Sequence, residues 1–174
     1  MIDIVSRAAW GARPPLERTP VPLSERTEFM VHHSETPTTE TVKQIQDVHM
    51  DERGWSDIGY NFLIDSNGRI YEGRGWTTQG AHCPNHNRSA IGACVIGTYF
   101  TVLPSAKALA SLQALYAEAN HQTGRTLTRM GHRDGRDTDC PGDALYAWVH
   151  STLGHDAPGP PPPQPPGADT LEWP

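Results

Sequence analysis

Apolar positions change their spacing several times along this chain, and each change predicts an element. Phe29-Met-Val-His32 is a short apolar run that reads as a buried strand. From Thr39 to Arg53 the period lengthens. Val42, Ile45, Gln46 and His49 fall on roughly one face of a helix, and Gly54 supplies a stop. Tyr60 to Ile64 and Arg69 to Glu72 flank Asp65-Ser-Asn-Gly68, and Asn-Gly between two apolar runs is the strongest short-range signal for a β-hairpin. The next stretch, Gly73 to Ser89, has Gly, His, Asn and Trp without any period, which predicts a long loop of the kind that carries function.

Ile91 to Gly97 is a second buried strand. Ser105 to Gln122 then sets Ala108, Leu109, Leu112, Leu115, Tyr116 and Ala119 at helical spacing, with Gly124 where a helix would end. Leu127 to His132 reads as a last strand, and Asp143 to Leu153 as a final helix that buries Leu145, Trp148 and Val149. The pattern is mixed α/β. Residues 1 to 28, rich in Pro, Arg and Thr, predict an irregular arm laid on the domain, and 29 to 155 its core. Beyond residue 156, Pro-Gly-Pro-Pro-Pro-Pro-Gln-Pro-Pro-Gly predicts an extended tail or linker, because such a segment can neither pack as a helix nor join a central strand.

The length of 174 residues with 36% hydrophobic side chains fits one globular domain. A formal charge of -6 offers no basic stripe for a phosphate backbone, which argues against nucleic acid as the main partner. The opening residues lack the basic and apolar regions of a secretory signal, and no apolar run is long enough to span a membrane. Synthesis in the cytoplasm, no membrane partner and a monomeric state are therefore expected.

Three segments carry candidate chemistry: Val31-His32-His33-Ser34 at a strand end, Asp57 to Phe62 entering the hairpin, and Gly131-His132 followed by Asp139-Cys140-Pro141. Catalytic zinc takes three protein ligands and keeps one position open for water. His32, His132 and Cys140 could supply such a set, although spacing alone does not require it. Cys94, inside Ile91 to Ile96, is expected to be a small buried hydrophobe. Cys83 has no assignable role from sequence. His49 is expected to be buried and hydrogen-bonded, and His86, His121, His150 and His155 to be solvated.

In ordered segments from Ser6 to Leu153 the sequence resembles the zinc-dependent N-acetylmuramoyl-L-alanine amidases of type 2, a family that includes bacteriophage amidase-type lysozymes and animal peptidoglycan recognition proteins. The matching text is Ser6-Arg-Ala-Ala-Trp-Gly-Ala-Arg13, Val-His-His-Ser34, Gly54-Trp-Ser-Asp-Ile-Gly-Tyr-Asn-Phe62, Asp65-Ser-Asn-Gly68, Glu72-Gly-Arg74, Gly80-Ala-His82, Ser89-Ala-Ile-Gly92 and Gly131-His132 to Cys140-Pro141. The resemblance implies a central mixed β-sheet flanked by helices, with zinc at the floor of a groove held by His32, His132 and Cys140. It implies a catalytic Tyr60, and hydrolysis of the N-acetylmuramoyl-L-alanine amide of bacterial peptidoglycan. It also sets His82 near the substrate, while His33 either lines the groove or fills space.

Two departures matter. Thr138 stands where some phage members carry a catalytic Lys, as it often does in animal enzymes of the family, and its hydroxyl, though without the positive charge, is expected to serve catalysis by hydrogen-bonding a carbonyl or orienting water. The cysteine pair that many animal members place after the His-His segment is missing between Ser34 and Asp57. With the Pro-rich end, this gives the expectation of a phage endolysin or its catalytic domain, acting on the wall after release. The alternative is a module that binds peptidoglycan without cutting it. The presence of Cys140 beside both His residues and Tyr60 favours the enzyme.

Overall fold

The structure is a computed structural model and describes residues 2 to 155, so the Pro-rich segment lies outside the described residues. Its strands are β1 (Ile4–Val5), β2 (Glu28–His33), β3 (Phe62–Ile64), β4 (Ile70–Glu72), β5 (Ala90–Val95) and β6 (Thr128–Gly131). They form one six-stranded sheet in the order β1-β4-β3-β5-β2-β6. Only β3 and β4 pair antiparallel. The neighbours β3–β5, β5–β2 and β2–β6 all run parallel, so their carboxyl ends share one edge of the sheet. A sheet covered on both faces needs strands that are apolar on both sides, and β5 is buried at every position.

One face is covered by helices α2 (Ala106–Thr123) and α4 (Asp143–Ser151), which pack Leu112, Leu115, Leu145 and Val149 onto Phe29, Val31, Phe62 and Ile91. α2 begins where the Ser105 hydroxyl accepts the Ala108 amide and ends at Gly124, which has the left-handed φ of 66° that glycine adopts without a Cβ penalty. The opposite face carries helix α1 (Val42–Asp47), which packs Val42 and Ile45 against Leu63, Cys94 and Ile96.

α1 is shorter than the apolar spacing predicts. Thr41 caps it in a reciprocal box with Gln44, so the helix starts at Val42, and at Val48–Glu52 the backbone widens into a π-turn. The predicted hairpin forms through Asp65, whose carboxylate accepts the amides of Asn67 and Arg69 at 2.9 Å each. The segment before β2 is tied to the sheet at several points. β1 extends the sheet beside β4, Trp10 donates its indole N–H to the Glu72 carbonyl, and Arg13 exchanges two hydrogen bonds with Gln46.

Candidate metal centre

β2 ends in two histidines, and strand alternation sends their side chains to opposite faces. His32 faces the α1 side beside Met30 and is 1% exposed. His33 turns toward the α2 and α4 side. Its Nδ1 accepts the Tyr99 amide at 3.2 Å, and its ring meets Phe100 edge-on.

The parallel register sets Val31 opposite Gly131, so the next residues of the two chains, His32 and His132, also stand side by side. Their ring centroids are 4.5 Å apart. His132 opens the one-turn helix α3 (His132–Gly135), and the chain then doubles back to bring in Cys140. The Arg133 amide donates to the Cys140 carbonyl at 3.0 Å, and the Cys140 amide donates to the Thr138 hydroxyl at 3.3 Å. Among the described residues, His32, His132 and Cys140 form the group whose donor atoms all lie within 4.8 Å of one another.

The donor set suits a divalent ion of the zinc type. Burial holds His32 well below the usual imidazole range and His132 at about 4, so both rings present neutral nitrogens. His132 Nε2 is buried without a hydrogen-bond partner, and an orphaned ring nitrogen is a group that a cation would satisfy. Burial pushes the Cys140 thiol up to about 12, so its thiolate form needs a cation beside it. Two imidazole nitrogens and one thiolate leave the fourth position of a tetrahedron open.

Tyr60 stands at 5.2 Å between ring centroids from His32. Its backbone is pinned from several directions. The buried Asp57 accepts from Gln46, from the Ile58 amide and from Arg7, Gly59 donates to His49 Nδ1 at 3.0 Å, and Arg74 donates to the Ile58 carbonyl. Burial first, then the neighbouring Cys94 and Cys140 thiols, hold the Tyr60 phenol well above its ordinary pKa, so it keeps its proton at neutral pH. A protonated phenol beside a metal site is a hydrogen-bond donor for an oxygen that gains negative charge.

A cleft of about 330 Å³ opens beside this group, lined by Arg53, Trp55, Tyr60, His82, Asn87, His132 and Arg136, so that His132 is the donor that reaches it. His33 does not line it. Thr138 lies in the Cys140 loop and turns that loop through its hydroxyl. His82 is 7% exposed, at the cleft floor, and its Nδ1 is 2.9 Å from His32 Nε2. A second groove, of about 370 Å³, runs between Trp10, the start of α1 and the hairpin turn, and contains none of the three donors.

Arg53, Trp55, Asn87 and Arg136 were not singled out from sequence. Arg53 and Trp55 flank a glycine immediately before the Tyr60 segment, and a cation and an aromatic in a glycine-broken loop are the signal that marks them. The guanidinium of Arg53 stacks 5.3 Å over the Trp55 ring. His150 is exposed as expected and also has an acidic partner, with Nε2 2.9 Å from Asp134, whereas His86 is half-buried with Nδ1 3.0 Å from Glu28. Both carboxylates come from distant sequence. His49 and Cys94 are buried as expected, and Cys83 fills a small cluster with Met30 and Ala90.

A sequence profile described as N-acetylmuramoyl-L-alanine amidase matches residues 24–143. The chain is 38% identical over 161 residues to the N-acetylmuramoyl-L-alanine amidase of Sus scrofa, covering 83% of this chain and 26% of that protein. The chain thus spans about a quarter of the length of that relative. Peptidoglycan-recognition protein LB of Drosophila melanogaster is 36% identical over 174 residues, covering 90% of this chain and 73% of that protein. Among solved structures, human PGRP-IβC in complex with glycosamyl muramyl pentapeptide superposes with a TM-score of 0.79 at 34% identity, covering 87% of this chain and 96% of that chain.

Proposed function

This chain belongs to the N-acetylmuramoyl-L-alanine amidase family, and on that premise we propose that it is a zinc hydrolase that cuts the amide between N-acetylmuramic acid and L-alanine in bacterial peptidoglycan. The observation that carries the reading is the convergence of the His32, His132 and Cys140 donor atoms within 4.8 Å, beside an open cleft that His132 and Tyr60 line. Bound there, zinc supplies the Lewis acidity that polarises an amide carbonyl and acidifies water. The chain's own residues do the rest. Tyr60 donates its phenolic proton as a hydrogen bond to the carbonyl oxygen while charge grows on it. Arg53 and Arg136 on the cleft rim suit the carboxylates of a peptide stem, and Trp55 offers an apolar face beside them. The human relative solved with a muramyl pentapeptide supports this class of substrate.

The competing reading is a module that holds peptidoglycan without cleaving it, which the relatives named as recognition proteins favour. Purified peptidoglycan digested with and without a chelator separates the two. The hydrolase reading expects new L-alanine amino termini, lost on chelation and in Cys140→Ala, with sedimentation of the variant on peptidoglycan retained. Retention on peptidoglycan with no new termini from the zinc-loaded wild type would leave only the binding module. The finer reading is of a monomeric endolysin, made in the cytoplasm and reaching the wall after release, and the cysteine-free stretch from Ser34 to Asp57 supports it. It expects that bacteria producing the protein internally lyse only once their inner membrane is permeabilised.

A further inference from the structure

We infer that His82 is a positioning residue that fixes the tautomer of His32 for metal binding, and that Gly80 and Gly92 exist to seat its ring. The inference rests on the zinc reading of the centre. His32 has two ring nitrogens with different neighbours: Nδ1 is 3.8 Å from the Cys140 sulfur, on the side of the ligand group, and Nε2 is 2.9 Å from His82 Nδ1. One proton sits between the two rings. If His82 donated it, His32 would carry its own proton on Nδ1 and present no lone pair to an ion. If His32 donates from Nε2, Nδ1 is free to ligate. Metal binding therefore selects the second arrangement, with His82 as the acceptor.

The surroundings of His82 hold its ring in place. Its other nitrogen, Nε2, is buried without a hydrogen-bond partner among the described residues, so the contact with His32 is the ring's one hydrogen bond there. The His82 and Cys83 amides both donate to the Asn87 side-chain oxygen, at 2.7 and 2.9 Å, which fixes the loop that carries the ring. The ring lies between two glycines. A Cβ on Gly80 would stand 2.4 Å from His82 Cδ2, and one on Gly92 would stand 2.4 Å from Cδ2 and 2.6 Å from Nε2, distances that no side chain tolerates. A residue at the cleft floor, 7% exposed and with its Nδ1 engaged, is built to orient a neighbour.

The test compares His82→Asn with His82→Leu in the full chain. The Asn side-chain oxygen falls near the position of Nδ1 and keeps an acceptor, whereas Leu has none. Zinc affinity, measured on metal-free protein against a chromogenic chelator, is expected to fall about 10- to 100-fold in His82→Leu and to be restored most of the way in His82→Asn. Long-range proton–nitrogen NMR of the metal-free protein reads the tautomer directly. Wild type and His82→Asn should carry the His32 proton on Nε2, and His82→Leu should show a mixture. Gly92→Ala is expected to follow His82→Leu without touching a ligand. Equal zinc affinity and equal His32 tautomers in all three proteins would overturn the inference. Failure of the wild type to bind zinc would overturn the zinc reading itself, while a wild-type His32 proton on Nδ1 would separately overturn the role given to His82.

Discussion

Replacing Arg26 by Met tests whether the loop that carries His82 is held by one buried cation. Arg26 is fully buried and uses its whole guanidinium on backbone carbonyls of residues 76 to 90, donating to Thr78 at 2.6 Å, Arg88 and Ala90 at 2.9 Å, Asn87 at 3.2 Å and Trp76 at 3.3 Å. Two of these acceptors keep another donor without it, since Gly80 donates to Asn87 and Asn61 donates to Thr78. The Trp76 and Arg88 carbonyls have no other donor among the described residues. The charge itself is costly there: burial lowers the Arg26 pKa to about 10, and at about 1.4 kcal/mol per pKa unit its removal would return roughly 3 kcal/mol. Hydrogen bonds to a charged donor contribute about 1.5–3 kcal/mol each, so even at the low end the lost bonds exceed that relief by about 4 kcal/mol. For a domain of this size the melting temperature should fall by about 10 °C or more. Arg26→Lys, with its charge kept but only three donors in a different geometry, should fall between the two. Thermal melts by circular dichroism measure both, and limited proteolysis should cut first within residues 73 to 89. Melting of Arg26→Met within 3 °C of wild type would mean that these carbonyls are as well served by water, and that the guanidinium is not what holds the loop.

Tyr60→Phe removes one hydroxyl and should lower kcat by about 100-fold with zinc content and melting temperature almost unchanged, since the phenol acts on charge that exists only in the transition state. Unchanged turnover on a soluble muramyl peptide would make Tyr60 a packing residue. Thr138→Ala should cost less than Tyr60→Phe, because its hydroxyl accepts the Cys140 amide and steadies the ligand loop; a larger loss than that of Tyr60→Phe would give the hydroxyl a direct part in the reaction. Burial first, then Arg53 and Arg74, hold the His49 pKa at about 4, so between that value and the unfolded value of about 6.5 the unfolded chain binds the extra proton and stability falls as pH drops. His49→Asn keeps an acceptor for the Gly59 amide and cannot titrate, so its melting temperature should fall less than that of wild type from pH 7 to 4; parallel curves would contradict the assignment.

The parts of the fold that can be read from sequence are those whose cause is local. Asp65-Ser-Asn-Gly68 turns the hairpin with its own carboxylate, and Ser105 and Gly124 bound α2 through their own side chain and backbone. The end of α1 cannot be read in this way. The π-turn at Val48–Glu52 accompanies a buried His49 that packs against Trp55 and accepts from Gly59, and both contacts depend on how the chain returns after Gly54. Arg26 has the same character. Nothing in Leu23 to Thr27 distinguishes an arginine that will serve five carbonyls at sequence separations of 50 to 64 from one that will face water.

The candidate metal centre is an intermediate case, and the sheet explains why. His32 and His132 are a hundred residues apart, yet each follows the last apolar position of a strand, and the two strands are adjacent, parallel and in register at Val31 and Gly131. Parallel neighbours lie about 4.8 Å apart, so the first residue past each strand's register must meet the other at the carboxyl edge of the sheet. Residue types and strand ends are visible in the sequence; the pairing of β2 with β6 is not. Without the family resemblance, nothing in the residues says which strands lie beside β2. What the register decides, it decides for more than the two candidate donors. Because β5 pairs in parallel on the other side of β2 and sets Cys94 beside His32, it also sends Ala90 and Gly92 to the face that His32 occupies. A small residue at 92 on that face leaves the space that the His82 ring fills, so strand alternation in β5 and the loop that follows β4 together bring His82 Nδ1 within 2.9 Å of His32 Nε2.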